Sequence, residues 1–398
     1  MRGTGLFIVI GSLLAGCTGA LGAESPDGGS FAPSADAATP STDAAQRSAE
    51  GGPPPWGEGL APTGAIAGEV AITDGETEIA LGTEGPAITF RVDAPAGEHV
   101  TFFLAFDDTY ADVTLEVLRW NGDEAVSLGA TDGGRGLRTL AVFDPSGLRT
   151  HWARLTTAEP SLRATLTVTR VPFEDGLVCL EDCARLMQLP LPIDPATDGY
   201  SVEGSIHRYQ YGRRDLVMLL RHAGRRTTSL AMEPFLIGDL SQWDGLTPGT
   251  DTGWLRHGSH DRGKDVDLSL YGTDGRAVWR SFCQTVALAE GGRECVEGTI
   301  RGYDEVANAI FFGALFESGR VNQSFLDREL IPPTIDGAEE AVAIGLVDGS
   351  VLPLYSSGRQ LQHWRNHHNH IHVRVFEEDA LSTTLGREPD APARIEAP

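Results

Sequence analysis

Five of the chain's 11 histidines, His363, His367, His368, His370 and His372, fall within ten residues, and His257 and His260 open the stretch HGSHDRGKDVD. Imidazole and carboxylate are the ligands that borderline divalent metals select. Two histidines and one carboxylate around an open fourth position is how zinc is held for catalysis. Zinc held that way lowers the pKa of a bound water towards ~7 and polarises a carbonyl, the two requirements of amide hydrolysis. A His-x-His pair such as His370 and His372 is weak by itself, because most such pairs are surface or core features. Joined to His260, with Asp267 seven positions further on, it becomes a set. Neither a GxSxG elbow nor a P-loop is present to support serine hydrolysis or nucleotide chemistry.

Such groups act together only if the backbone aims them at one place. KDVDLSL (264–270) and HIHVRV (370–375) both read as strands. Period-2 alternation sends Asp265, Asp267 and Ser269 to one face of the first, and His370, His372 and Arg374 to one face of the second. Val266, Leu268 and Leu270, with Ile371, Val373 and Val375, are left for a core. Around these strands, 213–227, 277–292 and 304–319 carry apolar residues at helical spacing followed by Gly or polar breakers, so three helices are expected. The order is not a regular βαβ alternation. An α+β domain with a mainly antiparallel sheet is expected over residues 173–380, followed by a flexible tail at 381–398. Residues 65–172 instead hold short alternating runs such as HVTFFLAFD and DVTLEVLRW, punctuated by Asp-Gly and Asn-Gly, and predict an all-β sandwich.

The 398 residues allow two to three domains, and the net charge of −25 argues against nucleic acid as a partner, since phosphate binding needs concentrated positive charge. No apolar run approaches the ~20 residues of a spanning helix. The first 16 residues read as a signal peptide, with Arg2 before a short apolar stretch that ends in Leu14-Ala15-Gly16-Cys17. That ending resembles the bacterial lipobox, in which the cysteine is lipidated and becomes the new N-terminus. Thr18 after Cys17 implies the outer membrane under the same resemblance. Residues 17–64 are Ser, Ala, Pro, Gly and Asp with almost no large apolar side chain, and read as a disordered tether of about 35–40 Å mean reach. Cys179, Cys183, Cys283 and Cys295 remain, an even number that suits an oxidising compartment. Of three possible pairings, the local ones, Cys179–Cys183 and Cys283–Cys295, are preferred because both close short loops.

SHDRGKDVDLSLY (259–271) resembles the His-x6-Asp segment of the family that joins penicillin-insensitive murein endopeptidases with D-Ala-D-Ala carboxypeptidases and dipeptidases. HHNHIHVRV (367–375) resembles its closing His-x-His. HRYQYGRRDLVMLLRHAG, FLIGDLSQ and the triplet His367-x-x-His370-x-His372 are most similar to the murein endopeptidase branch, over about residues 199–376. The resemblance implies one zinc ion on His260, Asp267 and His372, and His370 as general base. It places His367 beside them to orient substrate or stabilise an oxyanion, and His257 and Asp265 in supporting positions. The carboxypeptidase branch takes its base from a Glu three residues before the closing His; here that residue is Asn369. The activity implied is cleavage of peptide cross-links in peptidoglycan. A D-Ala-releasing carboxypeptidase and a non-catalytic wall-binding lipoprotein are the alternatives. The segment WDGLTPGTDTGWLR (243–256) departs from the family's short approach to the motif and implies a different cleft.

If Cys17 carries lipid, Cys17→Ala moves the protein from the membrane fraction to the soluble periplasm on cell fractionation. An unchanged membrane fraction contradicts the lipobox reading.

Overall fold

The computed structural model describes residues 60–377 apart from 83–86, 108–110, 132–135, 146, 175, 178 and 203–204. Cys17, the signal peptide, nearly all of the tether and the tail from 381 therefore lie outside the described residues. The N-terminal unit comprises β1 (Val70–Ala71), β2 (Gly75–Leu81), β3 (Ala87–Ala94), β4 (Glu98–Phe106), β5 (Val113–Trp120), β6 (Ala125–Thr131), β7 (Leu137–Phe143), β8 (Arg149–Thr157) and β9 (Leu162–Pro172). They form a five-stranded sheet, β1-β3-β8-β5-β6, and a four-stranded sheet, β2-β9-β4-β7. Alternation explains the packing. Phe102 and Leu104 of β4 and Leu166 of β9 face inward and meet Phe90, Val92, Leu115 and Leu155 of the other sheet in one core. Between them on the same strands, Thr101, Phe103 and Thr167 face outward and stay half-buried. This is a β-sandwich.

The second unit runs through β10 (Leu186–Gln188), α1 (Pro195–Asp198), β11 (Tyr200–Val202), β12 (Tyr211–Arg213), α2 (Arg214–Thr228), β13 (Phe235–Ile237), β14 (Asp265–Tyr271) and β15 (Ala277–Val278). It continues through β16 (Thr285–Ala287), β17 (Arg293–Cys295), α3 (Glu305–Phe316), β18 (Val321–Leu326), α4 (Ile331–Ala343), α5 (Leu352–Ser356), β19 (Leu361–His363) and β20 (His370–Val375). The main sheet has the order β11-β13-β14-β20-β18-β19, with β15 on the end of β14. Its central joints are antiparallel and its outer joints, β11–β13 and β18–β19, are parallel. Val266, Leu268 and Leu270 of β14 and Ile371, Val373 and Val375 of β20 share a core with Leu219 and Leu220 of α2 and Phe311 and Phe312 of α3. Their polar partners are thereby left on the opposite face.

Two of the three expected helices form. Residues 277–292 do not, and this corrects the helical reading. Phe282 is buried there while Val286 is 49% exposed, so the apolar residues share no covered face that would stabilise a helix. The segment instead forms β15 and β16, and β16 pairs antiparallel with β17. A disulfide between Cys283 and Cys295 staples this excursion, and a second joins Cys179 to Cys183, the two local pairings. Such cross-links mark a chain that matures in an oxidising compartment. The periodicity also passes over α4. Its Pro332 and Pro333 sit in the first turn, where the missing N–H is no loss. No helix among the described residues is long and apolar enough to cross a membrane.

The two units are hydrogen-bonded to each other along β7 and β10. The Tyr211 hydroxyl donates to Thr139 Oγ1 (2.6 Å), which donates to Gln188 Oε1 (2.7 Å), and Leu191 N–H donates to the Ala141 carbonyl (2.8 Å). His99 Nε2–H donates to the Gln188 carbonyl (2.8 Å) from a fully buried position. Burial outweighs that hydrogen bond, and with the nearby Arg221 it pushes the His99 pKa down to about 4. A folded pKa below the ordinary value of 6.5 means that the unfolded chain binds the extra proton. Stability is therefore full above pH ~6.5 and is withdrawn as pH falls towards 4. His99→Gln keeps a donor for the carbonyl but cannot titrate. In denaturant titrations the wild-type chain should lose about 3 kcal/mol more than this variant between pH 7 and pH 4; equal losses contradict the account.

Candidate metal centre

The pairing of β14 with β20 builds the site. In their antiparallel register Asp265 lies opposite Arg374, Asp267 opposite His372, and Ser269 opposite His370. Opposed residues on one face stand about 4.5–5.5 Å apart at Cβ, close enough for carboxylate and imidazole to share a point between them. The third group arrives from the turn before β14. His260 has a left-handed backbone (φ 69°), as do Arg262 (φ 57°) and Gly263 (φ 67°). Gly263 is required there, because a Cβ would meet the Arg213 amide nitrogen at 2.7 Å. A non-glycine residue in this region stores strain that surrounding structure must hold. Leu240 supplies part of that hold, since its carbonyl accepts from His260 Nδ1 at 3.0 Å.

His260 Nε2, His372 Nδ1 and Asp267 Oδ1 converge, with separations of 3.2 Å between the two nitrogens, 3.2 Å from His260 to Asp267 and 3.0 Å from His372 to Asp267. Their protonation follows from their other partners. The Leu240 carbonyl can only accept, so His260 Nδ1 carries the ring proton and Nε2 presents a lone pair. Asp265 Oδ1 lies 2.8 Å from His372 Nε2 and 2.6 Å from Arg374 Nε; it accepts from both, so His372 Nδ1 is also a lone pair in the neutral ring. Three acceptors thus face one another with no proton between them. Either a metal ion or a proton on His372 would hold them together. A metal fits this donor set, and the Asp265–His372 and Leu240–His260 contacts are the outer hydrogen bonds that orient ligating imidazoles. Without a metal, a proton takes its place. Burial alone would depress His372, but Asp265 and Asp267 raise it to about 9. Burial likewise opposes ionisation of Asp265, yet His372 and Arg374 hold it at about 2.

His257, His260 and Asp267 also form a triad able to hold a metal, their ligand atoms lying within 4.8 Å of one another. His372 Nδ1 lies nearer to Asp267 (3.0 Å) than His257 Nδ1 does (3.5 Å, to the other carboxylate oxygen). The His257 ring stacks on His260 at 4.2 Å, and its Nε2 is held by Asp239 Oδ2 at 2.8 Å. His370 lies at the rim, with Nε2 3.7 Å from Asp267 Oδ1, while its Nδ1–H donates to Asn369 Oδ1 at 2.8 Å. The His367 ring is 4.7 Å from that of His370, and its Nδ1–H donates to the Arg365 carbonyl at 2.8 Å. Burial first, and then neighbouring histidines, push His370 down to about 4 and His367 to about 3. His363 is turned away onto Glu294 (2.9 Å). Sequence reasoning passed over Asp239, which also takes Arg256 at 3.0 Å, and over Trp279, whose ring is 6.3 Å from His370. Asp239 sits inside FLIGDLSQ, where a lone carboxylate in an apolar run was the available signal.

No protein-family profile and no curated protein matches the chain. Among solved structures, the pre-peptidase C-terminal domain of a Bacillus anthracis collagenase is 7% identical with a TM-score of 0.20, covering 25% of this chain and 92% of that one. The periplasmic g-type lysozyme inhibitor PliG of Aeromonas hydrophila is 13% identical with a TM-score of 0.19, covering 26% and 96%. A mitogen derived from Yersinia pseudotuberculosis is 17% identical with a TM-score of 0.20, covering 24% and 83%. Likeness at this level bears on neither fold nor function, which rest on the geometry above.

His260, Asp267 and His372 would hold the ion, with His370 beside it. Elemental analysis of purified variants should find zinc lost from His260→Ala and His372→Ala and retained by His370→Ala. A zinc-free His370→Ala beside a zinc-loaded His372→Ala reverses the two roles.

Proposed function

We propose that the chain is a zinc-dependent endopeptidase that cuts peptide cross-links in peptidoglycan, exported and tethered through a lipid on Cys17, with the outer membrane as its site of attachment. The observation that supports this reading is the meeting of His260 Nε2, His372 Nδ1 and Asp267 Oδ1, a donor set that suits a bound metal ion. Zinc bound there supplies an acidified water and a Lewis acid for the scissile carbonyl.

The remaining steps belong to the protein. His370 is the general base. With Nδ1–H fixed on Asn369 and burial keeping the ring neutral, its Nε2 lone pair stands on the Asp267 side of the cleft, ready to take a proton and pass it to a leaving amine. Asn369 occupies the position where the carboxypeptidase branch would have its Glu. Here it orients the base instead of serving as one, which favours the endopeptidase reading. His367 is neutral and spends its Nδ1–H on Arg365, so Nε2 is an acceptor. It suits orienting a substrate N–H and does not suit stabilising an oxyanion, which needs a donor. Asp239 holds His257, and Asp265 with Arg374 holds His372, so the cleft is preorganised before substrate arrives.

Digestion of cross-linked muropeptide dimers should yield split dimers, without release of free D-Ala, and a chelator should abolish the activity. His370→Ala should retain zinc and lose ~10²–10⁴-fold in turnover. Released D-Ala in place of split dimers supports a carboxypeptidase, and intact dimers with zinc-loaded protein support a wall-binding role without catalysis.

A further inference from the structure

A second concave site lies between the sandwich and the metal-bearing unit, on the outer face of the four-stranded sheet. It is a cleft of about 250 Å³. From the sandwich come Phe103 of β4, Thr167 and Thr169 of β9, and Glu76 of β2; from the other unit come Arg185 and Trp243. Cross-strand pairing fixes their lattice, with Thr167 opposite Phe103 on one side and Glu76 on the other. The Phe103 and Trp243 rings meet edge-to-face at 5.6 Å and 66°, and both stay partly exposed.

The lining is mixed: Val171, Leu186 and Met187 stand beside the aromatic pair, and polar groups stand among them. The hydroxyls of Thr167 and Thr169, the Glu76 carboxylate and the Trp243 indole N–H have no hydrogen-bond partner among the described residues. Thr167 and Thr169 lie two residues apart on one strand face, a spacing of about 6.8 Å, so the sheet offers hydroxyls at fixed intervals beside a flat aromatic wall. An apolar ligand would leave these polar groups unmatched. Glu76 would repel a strong anion and Arg185 a cation, so the lining favours an uncharged ligand. A ring that carries C–H bonds on its faces and hydroxyls on its rim satisfies both halves of the lining. The volume admits one such ring, smaller than a drug-sized ligand needs.

We propose that this cleft binds one residue of an uncharged saccharide chain, stacked on Trp243 and Phe103 and hydrogen-bonded to Thr167, Thr169 and Glu76. Trp243 opens the segment 243–256 and follows three residues after Leu240, whose carbonyl orients His260, so a bound chain lies beside the approach to the metal centre. The site needs neither zinc nor hydrolysis, so it stands or falls separately from the peptidase reading.

Calorimetric titration of the full chain, in a chelator, with the tetramers of β-1,4-linked N-acetylglucosamine and of β-1,4-linked glucose tests it. Saturable binding of either tetramer is expected, weakened about tenfold or more in Trp243→Ala, and the preferred tetramer names the sugar. Thr169→Gln, at an exposed position that carries no packing, should weaken binding with an unchanged thermal transition. No saturable heat with either tetramer, or wild-type affinity in both variants, overturns the proposal.

Discussion

The register of β14 against β20 is the constraint on which the rest depends. Because side chains alternate, a one-residue slip of β14 would drive Asp265 and Asp267 into the helix-covered core and expose Val266 and Leu268. A slip of β20 would likewise drive in His372 and expose Ile371 and Val373. The six apolar side chains facing α2 and α3 therefore fix the position of the chemistry as firmly as they fix the core. Packing on one face is what aims the ligands on the other.

That aim carries a cost which the surroundings must meet. Asp265 is wholly buried and Asp267 nearly so, and an isolated buried carboxylate is expensive. Each is answered by several groups: Asp265 by His372 and Arg374, Asp267 by His260, His372 and, at the rim, His257 and His370. The cluster is satisfied only as a set, since removing one member leaves charges buried without partners. At its centre three potential metal ligands border one point, which either a metal ion or the His372 proton can neutralise.

The sequence made the strands and their faces legible, because period-2 alternation in KDVDLSL and HIHVRV is unbroken and both apolar rows are long enough to need a core. The short disulfide loops were legible for the same local reason. Tertiary effects were not. Residues 277–292 carry helical spacing yet follow the sheet edge and a disulfide, because no neighbouring surface covers a helical face there. Pro332 and Pro333 start α4, whose helical face the spacing did not pick out. The parallel joints at the sheet margins, the Asp239–His257 contact and the Tyr211–Thr139–Gln188 chain between units all join residues distant in sequence. No spacing rule records such meetings. Asn369 is an intermediate case: its position was visible as a missing Glu, but its use as the acceptor that fixes His370 needed coordinates.

The central claim is that one cation belongs at the meeting point of His260, Asp267 and His372. Diffraction data collected on either side of the zinc absorption edge, from crystals of the zinc-loaded chain, test it most directly. The account predicts a single strong anomalous peak bonded to His260 Nε2, His372 Nδ1 and Asp267 Oδ1, with His370 beside it and unbonded. A peak ligated by other residues, or none at this point in zinc-loaded crystals, would contradict it.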